Sequence, residues 1–330
     1  MDSFDSVDEI QKWVLESLLA RGGSTRPRGS ATLELFPVSF MLRHPRMRCV
    51  TNPARRWILP LALGEFCWHL SGSNDVHFIE YYSKRWREFA ESGSSTICGS
   101  SYGHKIFSRS AGEPSQWDRL VELLRVDQQS RRAVLGLFDP ARGLNQDERD
   151  VACACSLQLM IRSGRLLAFV YMRSNDAIWG LPYDIFFFTM LQELLACELG
   201  LELGYYYHFA ASLHLYERHF ELAHRIVETE PGSHFEMPPM SVHKQVDDFL
   251  RLEAVLRSRH ELLPRQVGTL HPYWRDLLAV LEWYSQAKGA GGYQAVAEKV
   301  PTPSPYGLLL RNMLPKAEAG TRAYAADYSD

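Results

Sequence analysis

Three features of the apolar patterning predict an α+β fold. Val151 to Leu159 and Leu166 to Tyr171 read as buried strands joined by the turn Arg162-Ser-Gly164. Leu181 to Leu199 is a long, almost uninterrupted apolar run, the signature of a buried helix. Leu203 to Leu215 then returns to strand-like, aromatic character, and amphipathic helices flank this centre on both sides.

In order along the chain, Val7 to Ala20 places Val7, Ile10, Trp13, Val14 and Leu18 at helical spacing. The segment Arg21 to Ser30 is a flexible basic loop, either a solvated connector or an arm that grips phosphate. Thr32 to Leu42 reads as a strand pair or an extended segment. Trp57 to Leu70 is a helix-like apolar run with one acid, Glu65, whose burial is costly unless it is paired or has a task. Ser71 to Asp75 closes that helix, and a small-residue loop from Ser92 to Ser101 ends in Tyr102-Gly103. After the amphipathic helix Trp117 to Val126, Ser130-Arg131-Arg132 leads into a strand-like run. Adjacent arginines of this kind either form a solvated surface or exploit their forked donors as a phosphate grip. Asp139 to Asp150 reads as a charged surface loop. Beyond Glu217, Val246 to Arg257 and Tyr273 to Gln286 read as helices, with low-order character from about Ala317.

Composition narrows the function. The chain has 330 residues, 46% hydrophobic and 23% charged, with net charge −3, so it lacks a global basic footprint for nucleic acid. Its acidic N-terminus is unlike a signal peptide. The most apolar run, Ala177 to Leu201, is interrupted by Asp184, Gln192, Glu193 and Glu198, which argues against a membrane span. Six cysteines without a CxxC pair are expected as reduced thiols in the cytoplasm. The whole chain, 1–330, is expected to form one domain.

Four motifs in the centre carry a resemblance: C-x-x-x-x-Q (Cys153, Gln158), R-S-x-D (Arg173 to Asp176), G-L-P-Y-D (Gly180 to Asp184) and H-x-Y (His214, Tyr216). Upstream, S-R-R (130–132), Y-G (102–103) and E-x-x-W-x-L-x-G (65–72) accompany them. Together they resemble the thymidylate synthase family over roughly residues 25–220, while 235–330 reads as a divergent helical extension. The resemblance implies a large mixed or antiparallel sheet surrounded by helices, one face of the sheet forming a dimer interface. It implies Cys153 as the nucleophile that adds to C6 of a pyrimidine, making C5 reactive toward a one-carbon unit from 5,10-methylenetetrahydrofolate. Arg173 and Ser174 resemble phosphate ligands, and Arg173 is also expected to favour the thiolate. Arg131 and Arg132 would reach across a homodimer into the partner's site. Gln158 and either Arg26 or Arg28 belong to the nucleotide grip, and His214 and Tyr216 to the sugar. Asp176, Gly180, Tyr183 and Trp86 would face the folate. Glu65 and Tyr102 would manage protons. No metal is implied.

Three departures redirect the chemistry. Asp184 stands where members acting on uracil carry Asn; an acceptor-only carboxylate suits the donors of a cytosine whose N3 is protonated. An alternative for Asp184, a helix N-cap, is weakened by the preceding Leu181-Pro182. Ser83-Lys-Arg-Trp86 lacks the first aromatic of a W-x-x-W pattern, and Ala323 to Asp330 lacks an apolar ending, so a C5 methylene would be open to water. Ala154 replaces a His. The resulting expectation is a cytidylate 5-hydroxymethylase acting on CMP or dCMP, of nucleoside-antibiotic type rather than phage type. The rivals are a C5-methylase and an inactive nucleotide- or RNA-binding relative, and the retained Cys153, Glu65, Arg173 and Asp176 argue against the latter.

Overall fold

The computed structural model describes residues 1–90, 93–109, 112–232, 234–241, 243–301 and 304–314. The described residues form ten strands: β1 Asp2–Phe4, β2 Gly23–Thr25, β3 Thr32–Leu35, β4 Val38–Leu42, β5 Val134–Gly136, β6 Ala154–Arg162, β7 Arg165–Met172, β8 Asn175–Asp176, β9 Glu202–Ala210 and β10 Leu213–Tyr216. The helices are α1 Val7–Arg21, α2 Leu59–Leu70, α3 Val76–Glu80, α4 Tyr102–Phe107, α5 Gln116–Val126, α6 Pro140–Gly143, α7 Leu181–Leu199, α8 Phe220–Glu228, α9 Val246–Arg257, α10 Pro264–Val267, α11 Pro272–Gly289 and α12 Gly307–Met313. The α+β expectation holds. Among the described residues no helix is long and apolar enough to cross a membrane.

A six-stranded sheet runs β1-β4-β9-β7-β6-β5, and a four-stranded one runs β2-β3-β10-β8. The β6–β7 hairpin turns at Ser163 (φ 51) and Gly164 (φ 74), both left-handed, which matches the twist of the two strands. β7 and β9 are parallel neighbours, so the chain must cross over between them, and α7 makes that crossover. Fifteen of the nineteen α7 residues are buried, which is why this helix shows no polar face.

The second sheet corrects the reading of Arg21 to Ser30 as a flexible loop. β2 pairs with β3 in register Ser24–Leu33, and the Thr25 and Thr32 hydroxyls lie 2.8 Å apart. The charged segment ending at Asp150 is also not all surface: Asp150 is buried, and its carboxylate accepts from the N–H of Gly99 at 2.6 Å and of Ser100 at 2.9 Å. A buried carboxylate needs such donors, and here they pin the loop that enters α4.

The C-terminal helices join the same core as the sheets, burying Phe249, Trp274, Trp283 and Tyr306. One of their contacts with the rest is Tyr82. Its hydroxyl donates to Glu253 of α9 at 2.7 Å, and its ring stacks on Tyr284 of α11 with centroids 5.5 Å apart. Gly64 of α2 lies against that ring: a Cβ there would fall 2.3 Å from it. Gly64→Ala is therefore expected to cost about 1–3 kcal/mol by overpacking. Thermal unfolding checks this, and an unchanged Tm would mean that Tyr82 yields without cost.

Candidate active site

Cys153 stands one residue before β6. The register pairs Ala154 with Met172, so Arg173 lies across from the thiol and donates its backbone N–H to the Cys153 carbonyl at 2.9 Å. The twenty-residue spacing is thus the length of one hairpin. The Arg173 guanidinium donates to the carbonyls of Ala152 at 2.8 Å and Val151 at 2.9 Å, with Nη2 3.9 Å from Sγ. Ser174 follows it, half-buried. Burial pushes the Cys153 thiol up to about 11; Arg173 pulls it down, and Asp184, Asp150 and Asp176 push it back up. The expectation for Arg173 is right in sign, but burial outweighs it, and the resting thiol is protonated at neutral pH.

Beside it, the Ala154 N–H donates to the Tyr102 hydroxyl at 3.2 Å. The Tyr102 ring stacks on His69 and Phe188, and burial lifts its hydroxyl well above the usual phenol range. The Tyr102 hydroxyl is therefore protonated in the resting structure. Gly103 is required next to it, because a Cβ would fall 1.9 Å from the His69 carbonyl oxygen.

Asp184 occupies the first turn of α7, whose N-cap is Gly180, so Asp184 itself is not the cap. Its Oδ2 accepts from Asn175 Nδ2 at 2.7 Å. Burial pushes its carboxyl up to about 7; the Asn175 donation opposes this, and Asp176 adds repulsion. Glu65, on α2, is pushed up to about 8, first by burial and then by Asp184, while Trp86 Nε1 donates to its Oε1 at 3.1 Å. Asp184 thus acts on both the thiol and Glu65, and near neutral pH Cys153 and Glu65 hold their protons while Asp184 is about half-protonated.

Parallel pairing of β8 with β10 sets Asp176 beside His214. Asp176 Oδ1 accepts from the N–H groups of Ile178 at 2.7 Å and Trp179 at 3.1 Å. The Trp179 indole donates to His219 Nε2 at 3.1 Å, and the Arg85 guanidinium lies 4.7 Å over its ring. His214 meets Tyr216 edge-on at 5.1 Å, and burial lowers the His214 pKa.

Other expected site residues lie elsewhere. Gln158 is on the outer face of the large sheet and donates to the Arg131 carbonyl at 2.9 Å. It holds the arginine loop in place instead of facing the cavity, because the pleat turns it away from its buried neighbours Leu157 and Leu159. Tyr183 is buried against Trp57, its hydroxyl accepting the Ile58 N–H at 3.3 Å. Arg131 and Arg132 are exposed just before the edge strand β5. Arg26 is exposed, and the Arg28 side chain lies outside the described residues. Sequence reasoning missed Asn175, which occupies the variable position of R-S-x-D, and with it Asp150.

Two measurements probe this electrostatic picture. Alkylation of Cys153 by iodoacetamide, followed by peptide mapping, is expected to rise about tenfold per pH unit above neutrality until near pH 11. A plateau below pH 8 would show a resting thiolate. For Glu65, the folded-state pKa lies above the unfolded one, so its proton stabilises the fold at low pH and that advantage is lost between about 4.5 and about 8. Glu65→Gln is therefore expected to raise Tm relative to the parent more at pH 8 than at pH 5.

With this geometry in place, comparison with known proteins is informative. The sequence model of the thymidylate synthase family matches residues 13–256, further in both directions than the motif-bearing stretch. A deoxyuridylate hydroxymethyltransferase of Bacillus phage SP01 is 29% identical over 213 residues, covering 62% of this chain and 55% of that protein. The chain thus spans about half the length of this curated relative. Thermostable thymidylate synthase A from Bacillus subtilis shares the fold, with a TM-score of 0.61 at 22% identity over 73% of this chain and 92% of that one. The hairpin that brings Cys153 to Arg173 and the family match over most of the chain agree: this chain belongs to the thymidylate synthase family.

Proposed function

We propose that this chain transfers a one-carbon unit from 5,10-methylenetetrahydrofolate to C5 of a cytosine nucleotide, CMP or dCMP, and that water completes the product as a 5-hydroxymethyl group. The observation that carries this reading is Asp184: a carboxyl near Cys153 whose pKa is raised to about 7. At neutral pH such a group can give a proton to a ring nitrogen and accept one back. Cytosine has an acceptor at N3 and an amino donor at C4, and a half-protonated carboxyl meets both. When Cys153 sulfur bonds to C6, the C5–C6 electron pair moves to C4–C5, and the C4–N3 pair takes the Asp184 proton. The carboxylate this leaves on Asp184, close enough to act on the thiol, takes the Cys153 proton as the bond forms. C5 is then an enamine carbon, ready to attack.

Arg173 and Ser174 would bind phosphate, and His214 and Tyr216 the sugar hydroxyls. A folate fits the remaining lining. Trp179 and Tyr216 offer flat aromatic faces, Asp176 an acid, Arg85 and Arg218 cations, and His219 Nδ1 is buried without a hydrogen-bond partner. When bound, the folate supplies a carbon at the oxidation level of formaldehyde. Glu65 holds a proton on its carboxyl at neutral pH, and Trp86 orients that carboxyl.

The loss of an aromatic shield supports the hydroxymethyl outcome. Ser83 stands where an aromatic shield is missing, and a guanidinium, Arg85, lies over Trp179 instead. The C-terminal ending, Ala323 to Asp330, lies outside the described residues. A homodimer is part of the reading. It is supported by the exposure of Arg131 and Arg132 and by the stacked pairs Phe169–Tyr207 and Tyr171–Phe209 on the outer face of the large sheet. All six cysteines are free, as a reducing cytoplasm would leave them.

Incubation with methylenetetrahydrofolate and CMP, dCMP, UMP or dUMP in parallel, read by mass spectrometry, tests the reaction. A gain of CH2O on a cytosine nucleotide is expected. A gain of CH2 would identify a methylase, and product on uracil alone would sink the base assignment. Asp184→Asn is expected to shift the cytosine-to-uracil ratio of kcat/KM toward uracil by on the order of a hundredfold.

A further inference from the structure

A protonated Asp184 does not by itself choose a base. With its proton on the oxygen facing N3 it complements cytosine; with the proton on the oxygen facing position 4 it complements uracil, which presents N3–H and O4. Base choice therefore depends on which carboxyl oxygen carries the proton. The buried chain behind Asp184 bears on that directly.

Asn175 is 2% exposed and His208 1% exposed. Asn175 Nδ2 donates to Asp184 Oδ2 at 2.7 Å, and Asn175 Oδ1 lies 3.1 Å from His208 Nε2. His208 Nδ1 lies 2.9 Å from the Tyr206 hydroxyl. Burial pushes His208 down to about 3, so its ring is neutral and carries one N–H. Because Asn175 Oδ1 only accepts, that N–H is on Nε2, and Nδ1 accepts from Tyr206. Every donation then runs one way, from Tyr206 through His208 and Asn175 to Asp184 Oδ2. The hydroxyl oxygen of a carboxylic acid accepts poorly, so Oδ2 is the carbonyl oxygen and the proton sits on Oδ1.

The opposite polarity, with the amide turned and the His208 proton on Nδ1, would make Tyr206 an acceptor. Tyr206 is fully buried, and among the described residues its hydroxyl has no other hydrogen-bond partner, so its O–H would be stranded. The surroundings hold the parts in place. The His208 ring stacks on Phe40 with centroids 4.8 Å apart and planes 7° from parallel. A Cβ on Gly180 would fall 2.8 Å from Asn175 Nδ2, so only glycine lets the backbone close over the amide.

We propose that Tyr206, His208 and Asn175 form a one-way donor chain that fixes the Asp184 proton on Oδ1 and thereby selects cytosine over uracil. In this proposal the base docks with N3 on Oδ1 and the 4-amino group on Oδ2. The three are positioning residues, and the proposal rests on the reading of Asp184 as the group that recognises the base.

Equilibrium binding of CMP, dCMP, UMP and dUMP, measured by calorimetry without folate, separates the possibilities. Tyr206→Phe keeps the ring and removes the donor that sets the polarity. It is expected to lower the cytosine-to-uracil affinity ratio about tenfold, the scale of one buried hydrogen bond. Asn175→Ala should lower the ratio at least as far, and it decides the matter should Tyr206→Phe fail to fold. An equal loss of affinity for both bases would mean that the chain is only structural and would overturn the proposal. Asp184→Asn is the separate control. If it leaves the base preference of the parent unchanged, the base-reading role of Asp184 fails; if it alone shifts the preference, that role stands and the donor chain fails.

Discussion

Burial of ionisable groups around one thiol is the constraint on which the site depends. Cys153, Glu65 and Asp184 all lie where burial disfavours their charged forms, so Cys153 and Glu65 hold their protons at neutral pH and Asp184 is about half-protonated. Arg173, the cation nearest the thiol, spends its fork on the carbonyls of Val151 and Ala152. The surroundings of the resting thiol are therefore buried, rich in proton-bearing groups and held by backbone contacts. On the proposed reading, a nucleotide would bring its own anion to a site whose carboxyls can already supply protons to the ring.

The fold produces this arrangement by bringing strand ends together. The β6–β7 hairpin joins Cys153 to Arg173, and the parallel β8–β10 pair joins Asp176 to His214. The α7 crossover begins between them, so Asp184 in its first turn faces both. No single element carries the site. A shift of one residue in either pairing would turn half of these side chains to the opposite face.

Much of this was legible in the sequence because motif spacing encodes hairpin length: Cys153, Arg173, Asp176 and His214 are brought together as read. What failed to show is what depends on the face of a strand or on partners far along the chain. Gln158 belongs to a motif, yet the pleat sends it outward to Arg131. Tyr183 follows Pro182 in the same motif but packs into the core, its hydroxyl spent on Ile58. Asp150 looks like part of a charged loop until the N–H groups of residues some fifty positions earlier are found around it. Asn175 sits in a variable position, and its importance comes from His208, 33 residues away.

The C-terminal helices show the same limit on a larger scale. Nothing in their sequence suggests a tie to the cavity. Yet the Tyr284 hydroxyl donates to the carbonyls of Tyr81 at 3.2 Å and Tyr82 at 3.0 Å, and Lys288 also donates to Tyr81. These contacts grip the turn that leads into residues 84–89, and that turn carries Arg85 to Trp179 and Trp86 to Glu65. Tyr82, on the same turn, also fills the space beside Gly64, one residue from Glu65. The helices thus brace, from behind, the helix and turn that hold a proton-bearing carboxyl. An acid with a pKa near 8 depends on burial, and the part of the chain furthest from the motifs holds in place the Tyr82 ring that packs beside it.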